Sequence, residues 1–524
     1  MHILMVSAEN GALDGGKVGG LGDVVGEVPP ALVREGCSVS VVTPSYGFLH
    51  RRHASSAVGM LSFRFYGADH HATLHAVQPA SDPGEGVRHY VIDHPIFAQR
   101  SEGSGANGIY SIDAPEAPFA TDATRFACLG AAVAEALKKG AFGAVHVMHL
   151  HDWHAAFLLI LRRYSGDYRV LSQTRCVFSI HNLALQGIRP FEGSPSSLAA
   201  WFPHLVPPRH EISDPRWPNC VNPMAVGIRL ADAVHTVSPS YAKEILRPSD
   251  PPRFFGGEGL ESDLKAARAQ GRLFGILNGC SYPSERMPGA LSFKDLCSLL
   301  KETVLSWAGR TPALASAHFV AHSRLADCGA LPDRPVTVLT AVTRVVEQKL
   351  YLLKASGSKG PQALHALLEA LGPRGLFILL GTGDAAYEQF LLETGARFRN
   401  FIFLNGYSDQ AARALYANGD LFIMPSSFEP CGISQMLAMR DGQPCVVHRA
   451  GGLKDTVTHG VNGFCFEGGT VAEQVDNFVS VCLQAMELQQ AQAERWQGIR
   501  RNAAAARFSW DDSAAAYLAQ LYRS

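Results

Sequence analysis

Long hydrophobic runs are missing from this chain of 524 residues, and so is an excess of either charge. The apolar stretch from Ala155 to Leu161 falls far short of the roughly 20 residues a helix needs to span a bilayer, so no membrane association is expected. With 46 Lys and Arg against 47 Asp and Glu, the formal net charge is −1. That balance lacks both the basic footprint of a nucleic-acid-binding protein and an acidic tail, and it fits a small or neutral partner. None of the eleven cysteines forms a Cys-x2-Cys pair, and their number is odd, which points to reduced thiols rather than a disulfide framework. The chain opens directly on the apolar run Ile3 to Val6, with neither a basic leader nor a small-residue cleavage site, so a cytoplasmic location is expected. Repeats of solenoid period and low-complexity tracts are also missing.

What is present is a soluble globular composition, 47% hydrophobic and 18% charged, at a length that calls for two or three domains. In the first half, β-like runs at His2 to Ser7, Ser38 to Thr43, Ala144 to Leu150, Arg175 to Ile180 and Ala233 to Val237 alternate with amphipathic stretches such as Thr124 to Lys138 and Trp153 to Arg163. This is the pattern of a mostly parallel, doubly wound sheet. Alternation within Leu61 to Tyr66 and Ala72 to Val77 reads as an antiparallel hairpin excursion. After a turn-rich stretch around Ser281 to Gly289, a second α/β series runs through Val336 to Thr343, Leu376 to Leu380, Phe401 to Leu404, Leu421 to Met424 and Pro444 to His448. Two Rossmann-like units in tandem are expected, one over 1–272 and one over 273–502, with an amphipathic C-terminal helix (503–524) docking back on the first.

Polar clusters fall where the strands end, which is where open parallel sheets bind ligands. After the first strand, Gly15 to Asp23 combines a glycine-rich loop with Lys17, a pairing suited to a diphosphate if Gly19 and Gly20 offer their amides. It is a poor dinucleotide fingerprint, because Gly26 comes one residue late for Gly-x-Gly-x-x-Gly, and a plain flexible loop is the other reading. The strand near Leu150 delivers His151-Asp152-Trp153-His154. With His149 this hints at zinc, but no Glu accompanies the histidines as in His-Glu-x-x-His, and no metal is expected. Asp152 is suited to binding a hydroxyl or balancing positive charge; alternatively it caps the next helix. His181 follows the next strand, either as a structural residue or as part of a site.

In the second half, Arg344 and Lys349 offer a guanidinium and an ammonium to a diphosphate, unless the loop is merely a solvated basic one. Tyr407 is either a ring for a base or a core residue. The stretch Ser426 to Gln435 places Glu429 beyond a strand end, with Cys431 and Gly432 entering a helix whose free N–H groups favour an anion. A carboxylate there accepts hydrogen bonds from sugar hydroxyls, and Gly451 and Gly452 allow close backbone approach to a ligand.

Taken in order, Lys17 to Val24, His151 to His154, His181 to Ala184 with Gln186-Gly187, Ala231-Asp232 with Thr236 to Pro239, Gly275 to Gly279, Arg344 to Lys349, Gly381 to Asp384, Phe428 to Gly432 and Gly451 to Leu453 resemble the bacterial glycogen synthase and plant starch synthase family, retaining glucosyltransferases of the GT-B fold. The resemblance implies two Rossmann-like domains facing across a cleft. It implies transfer of glucose from ADP-glucose, with UDP-glucose as the alternative donor, to the non-reducing end of an α-1,4-glucan primer, without a cofactor. It also implies donor contacts from Lys17, Gly19, Gly20, Asp23, Asn278, Arg344, Lys349, Tyr407, Glu429, Cys431, Gly432, Gly451 and Gly452. Asp152 and His181 would line the reacting side, and Asp152, His181, Arg344, Lys349 and Glu429 would carry the chemistry. The chain departs from the family pattern at Leu185, Ala225, Cys280, Leu350 and Leu437, which touches the acceptor side and the hinge more than the diphosphate clamp.

Overall fold

In the computed structural model, which describes residues 1–80, 86–99, 108–282, 291–310, 315–358 and 360–523, the strands gather into two separate sheets. The first has nine strands: β1 (His2–Val6), β2 (Ser38–Pro44), β3 (Ala54–Phe65), β4 (Ala68–Gln78), β5 (Val87–Asp93), β6 (Val147–His151), β7 (Arg175–Ile180), β10 (Ala233–Thr236) and β11 (Leu273–Gly275). The two short strands β8 (Arg189–Pro190) and β9 (Cys220–Val221) pair with each other outside it. The order across the sheet is β11-β10-β7-β6-β1-β2-β5-β4-β3. Every pairing is parallel except β3 with β4 and β4 with β5. Strands β1 and β6 are buried at every position, as expected where helices cover both faces of a parallel sheet. The antiparallel excursion keeps the alternation that announces it: Leu61, Phe63 and Phe65 point into the core while Ser62 and Arg64 are exposed.

The second sheet has six strands, β12 (Thr337–Val342), β13 (Gly375–Gly381), β14 (Phe401–Asn405), β15 (Leu421–Met424), β16 (Cys445–His448) and β17 (Gly463–Phe466). They lie in the order β14-β13-β12-β15-β16-β17 and are all parallel. One apolar cluster, with Leu367, Phe377, Phe401 and Phe478, and another, with Leu300, Ile378, Leu404 and Leu415, provide its core.

The chain divides into two units, residues 1–249, 256–281 and 509–524 in one, and 250–255 and 282–508 in the other. The first boundary lies after Ser281 rather than at the expected 272, because β11 pairs with β10 as the outermost strand of the first sheet. The second lies at 508/509 rather than 502/503: the helix Ala493–Ala505 stays with the second unit, burying Ala503 there while Arg500 donates to the Gly442 carbonyl. Most of the turn-rich stretch, 283–289, lies outside the described residues.

The final helix, Trp510–Tyr517, continues into a wider turn over Leu518–Tyr522. Trp510, Ala514, Tyr517, Leu518 and Leu521 pack with Leu21, Val24, Val25 and Val28 of the helix Gly20–Arg34. Each large apolar side chain buried in this way contributes about 1.5–3 kcal/mol, so this segment is a structural member of the first unit. No helix among the described residues is long and apolar enough to cross a membrane.

Candidate functional site

The first unit collects its candidate residues beyond the carboxyl ends of β1, β6 and β7. Glu9, three residues past β1, is buried, and one of its carboxylate oxygens accepts the N–H groups of Val18 (2.6 Å) and Gly19 (2.8 Å). Its other oxygen accepts the Tyr110 hydroxyl at 2.8 Å. The sequence reading leaves these amides to an incoming anion; in the folded chain an internal carboxylate already takes two of them. Lys17 is ion-paired with Asp23 in the first turn of the helix Gly20–Arg34, so the ammonium expected to face a diphosphate already has a carboxylate partner, and a ligand has to compete with Asp23 for it. Gly20 has open space where a Cβ would stand, whereas a Cβ on Gly22 would lie 2.9 Å from the Glu9 carboxylate. Neither Glu9 nor Tyr110 was singled out from the sequence. The available signal for Glu9 was a carboxylate three residues past the end of the first strand.

Asp152 follows β6 with a φ of +55°, a left-handed conformation uncommon for a residue with a Cβ and concentrated at functional positions. It does not cap the short helix Asp152–Ala155; that cap position belongs to His151, which makes no side-chain capping bond. Instead its carboxylate reaches past β7 and accepts the His181 N–H at 2.7 Å. Burial drives its pKa up from 3.8 to about 7, against the pull of the His181 and Asn182 amides. Both reacting-side candidates are therefore locked together, and His181 is held neutral by burial. Its Nε2 lies 3.0 Å from His151 Nδ1. Asn278 is buried in the same unit, with no partner for its side-chain oxygen among the described residues.

The three histidines around Asp152 go to different partners: His149 to Ser179 and Tyr522, His151 to His181, and His154 against Phe126 and Tyr110. Among the described residues no group of three or more His, Cys, Asp or Glu is arranged to hold a metal ion.

In the second unit, Arg344 stands in the loop after β12 and Lys349 in the first turn of the helix Glu347–Lys354. Glu429 stands in the loop after β15. Lys349 and Glu429 form an ion pair with side chains only 12% and 7% exposed. Burial lowers the Lys349 pKa, and the Glu429 carboxylate opposes that shift. Arg344 is exposed, and among the described residues its side chain makes no ion pair.

Two hydrogen bonds tie these segments together, from Ser427 N–H to the Gln348 carbonyl (2.8 Å) and from the Gln348 side-chain amide to the Phe428 carbonyl (3.0 Å). Gly381 and Gly383 let the next strand-end loop nest under Thr343 to Val345, since a Cβ on either would strike a carbonyl there. Gly451 and Gly452 serve a similar end. A Cβ on Gly451 would sit 1.9 Å from the Glu429 carbonyl oxygen, one on Gly452 would lie 2.5 Å from the Cys431 Cα, and the Gly452 N–H donates to the Glu429 carbonyl. Their close approach is thus to the Glu429 loop itself.

Gly432 has a φ of +79° and begins the turn into the helix Ser434–Arg440. Cys431 is buried. Tyr407 is 56% exposed, with its hydroxyl on Asp409, which removes the core reading. Of the positions that depart from the family pattern, Leu350, Ala225 and Cys280 are buried, Leu437 is partly buried and Leu185 is exposed.

Comparison with known proteins bears on both units. Residues 2–266 match the family model described as the starch synthase catalytic domain, and residues 356–496 match that of glycosyl transferases group 1. The chain is 31% identical over its whole length to the full length of a glycogen synthase of Streptococcus equi subsp. equi. It is 30% identical to a glycogen synthase of Desulfitobacterium hafniense, covering 96% of this chain and 95% of that one. The catalytic domain of starch synthase IV from Arabidopsis thaliana, solved with ADP and acarbose bound, superposes with a TM-score of 0.74 at 26% identity, covering 99% of this chain and 98% of that one. A sucrose-phosphate synthase from Thermosynechococcus elongatus shares the fold at a TM-score of 0.53 and 15% identity, covering 100% of this chain and 98% of that one. Two Rossmann-like α/β units of GT-B type, matched end to end by glycogen synthases, make this chain a member of the glycogen and starch synthase family of glycosyltransferases.

Proposed function

We propose that the protein elongates an α-1,4-glucan by transferring glucose from ADP-glucose to the non-reducing end, with retention of configuration at the anomeric carbon. The observation that carries this reading is the buried Lys349–Glu429 pair beside the exposed Arg344, at neighbouring strand ends of one sheet. Arg344 is the cation a pyrophosphate meets first, with five donors in a planar fork. Lys349 is held against Glu429, so a bound donor sugar gains a carboxylate for its hydroxyls and an ammonium for its phosphate without either charge being left alone.

In the reaction, the bond from the glucosyl C1 to the phosphate oxygen breaks and a bond from the acceptor O4 to C1 forms. The acceptor proton passes to the departing phosphate oxygen. Arg344 and Lys349 stabilise the charge building on that phosphate. In the first unit, Asp152 and His181 form the acceptor-side pair. Asp152 balances the positive character of the anomeric centre when ionised, and Lys17 is available to the diphosphate once it is released from Asp23.

The starch synthase neighbour solved with ADP supports ADP-glucose as the donor. The test is nucleotide release from ADP-glucose and UDP-glucose, with glycogen, maltooligosaccharide or no primer, and the product anomer read by NMR. An α-linked product formed fastest from ADP-glucose with a glucan primer is expected. A β-linked product, or no transfer from either donor, overturns the assignment.

A further inference from the structure

Four histidines cluster beside Asp152: His149 and His151 on β6 and His235 on β10, all buried, and His181, half-buried just past β7. Burial holds all four neutral, so each carries one ring proton, and the hydrogen bonds fix where two of the four protons sit. His235 Nε2 faces the Ile276 carbonyl at 3.4 Å. A carbonyl only accepts, so His235 is protonated there and its Nδ1 accepts the Ser179 hydroxyl at 2.7 Å. With that proton committed, the Ser179 oxygen accepts from His149 Nε2 at 2.6 Å, and His149 Nδ1 accepts the Tyr522 hydroxyl at 2.7 Å.

His151 stacks on His149 with ring centroids 4.3 Å apart. Its Nδ1 meets His181 Nε2 at 3.0 Å, and its own Nε2 is buried with no partner among the described residues. One of the two rings must donate. Were it His181, the His151 proton would sit on Nε2 as an orphaned buried N–H; with His151 donating, the second N–H falls instead on Nδ1 of the half-buried His181, which is not among the buried unpartnered atoms, and the buried orphan is only a lone pair, the less costly defect.

We propose that His151 is a positioning residue that donates its Nδ1 proton to His181 and thereby holds His181 in the Nδ1–H tautomer. This rests on the reading of His181 as part of the site. A histidine side chain free in water favours the other tautomer, so the arrangement is imposed by its neighbour. It leaves His181, whose Nδ1 has no hydrogen bond among the described residues, offering an N–H donor to a sugar oxygen, with the ring fixed between His151 at one nitrogen and Asp152 at its backbone.

The first test is read on the wild-type protein. In the full-length protein with 15N-histidine, the ring signals of His181, identified by their loss in His181→Gln, are expected to report a protonated Nδ1; a protonated Nε2 overturns the proposal. The second uses two variants. Asn places an amide N–H where Nδ1–H stood, so His151→Asn should recover most of the turnover and keep the tautomer. His151→Leu should shift His181 to Nε2–H and lower kcat on the order of 10- to 100-fold with little change in the KM for the nucleotide sugar. Equal losses in the two variants, both folded, would refute the positioning role, because a purely structural contribution does not distinguish a donor from its absence. Unaltered turnover in His181→Ala would instead remove the site reading beneath the kinetic half, and the tautomer measurement would still decide the hydrogen-bond half.

Discussion

Replacing Asp152 with Asn should make the first unit more stable at alkaline pH while impairing the enzyme. Burial holds this carboxyl at about 7 against an ordinary 3.8, helped by the charge of Glu9 and resisted by the amides of His181 and Asn182. Between those two values the folded chain keeps a proton that the unfolded chain has released. The stability this group contributes is therefore complete below the lower value, falls as pH rises through the window, and is gone above the upper one. Three pH units at about 1.4 kcal/mol each amount to about 4 kcal/mol, of which about 3 kcal/mol is lost between about pH 5 and about pH 7. Asn retains an oxygen for the His181 N–H and has no proton to lose. Urea unfolding followed by tryptophan fluorescence, with Trp153 and Trp201 buried in this unit, should show wild type losing stability relative to Asp152→Asn over that range and running parallel to it at higher pH. Turnover in the same variant should fall on the order of 100-fold or more. Identical pH dependence of unfolding in the two proteins would refute the argument, since it would mean that Asp152 titrates alike in the folded and unfolded chain. A group that costs stability when charged at neutral pH is the kind that function retains.

Arg344→Ala should leave the unfolding midpoint within about 0.5 kcal/mol of wild type, because the side chain is exposed, yet cut kcat on the order of 100- to 1,000-fold; steady-state kinetics beside a melt separates the two. Lys349→Met should also abolish turnover, and it should destabilise the second unit by about 3–5 kcal/mol at neutral pH by stranding Glu429 without its partner; wild-type stability would refute this. Gly451→Ala, whose Cβ would lie 1.9 Å from the Glu429 carbonyl oxygen at a φ of +48°, should displace the Glu429 loop, raise the donor KM and lower the melting temperature. Glu9→Ala should release the Val18 and Gly19 amides and the Tyr110 hydroxyl at a cost of about 1–3 kcal/mol, with faster amide exchange confined to the glycine loop as the readout.

Strand positions and the loops that follow them were legible because parallel strands buried on both faces read as unbroken apolar runs, and the polar residues after them stand out. Leu421 to Met424 matched residue for residue, as did Arg175 to Ile180. The boundary at 272 was misplaced because β11 is three residues long and only its pairing with β10 assigns it to a sheet. β17, four residues with two aromatics, was passed over for a similar reason. Charge pairing was the least legible feature. Lys17 with Asp23 and Lys349 with Glu429 join groups that the sequence presents as separate binders, and Glu9 takes loop amides that it presents as free; only the folded chain reveals which of them already satisfy one another. The buried histidine wiring was invisible in the same way, since its members come from three strands and the last turn of the chain.

That last turn bears on how the protein is made. The stripe from Trp510 to Leu521 completes a core laid down by residues near the amino end, and the whole of 282–508 is translated in between. At about 5–20 residues per second, the amino-terminal unit waits on the order of tens of seconds with the Leu21–Val28 side of its first long helix uncovered. The ribosome thus releases a protein whose earliest-made half is the last to be sealed, and during that interval nascent chains are open to association through that side.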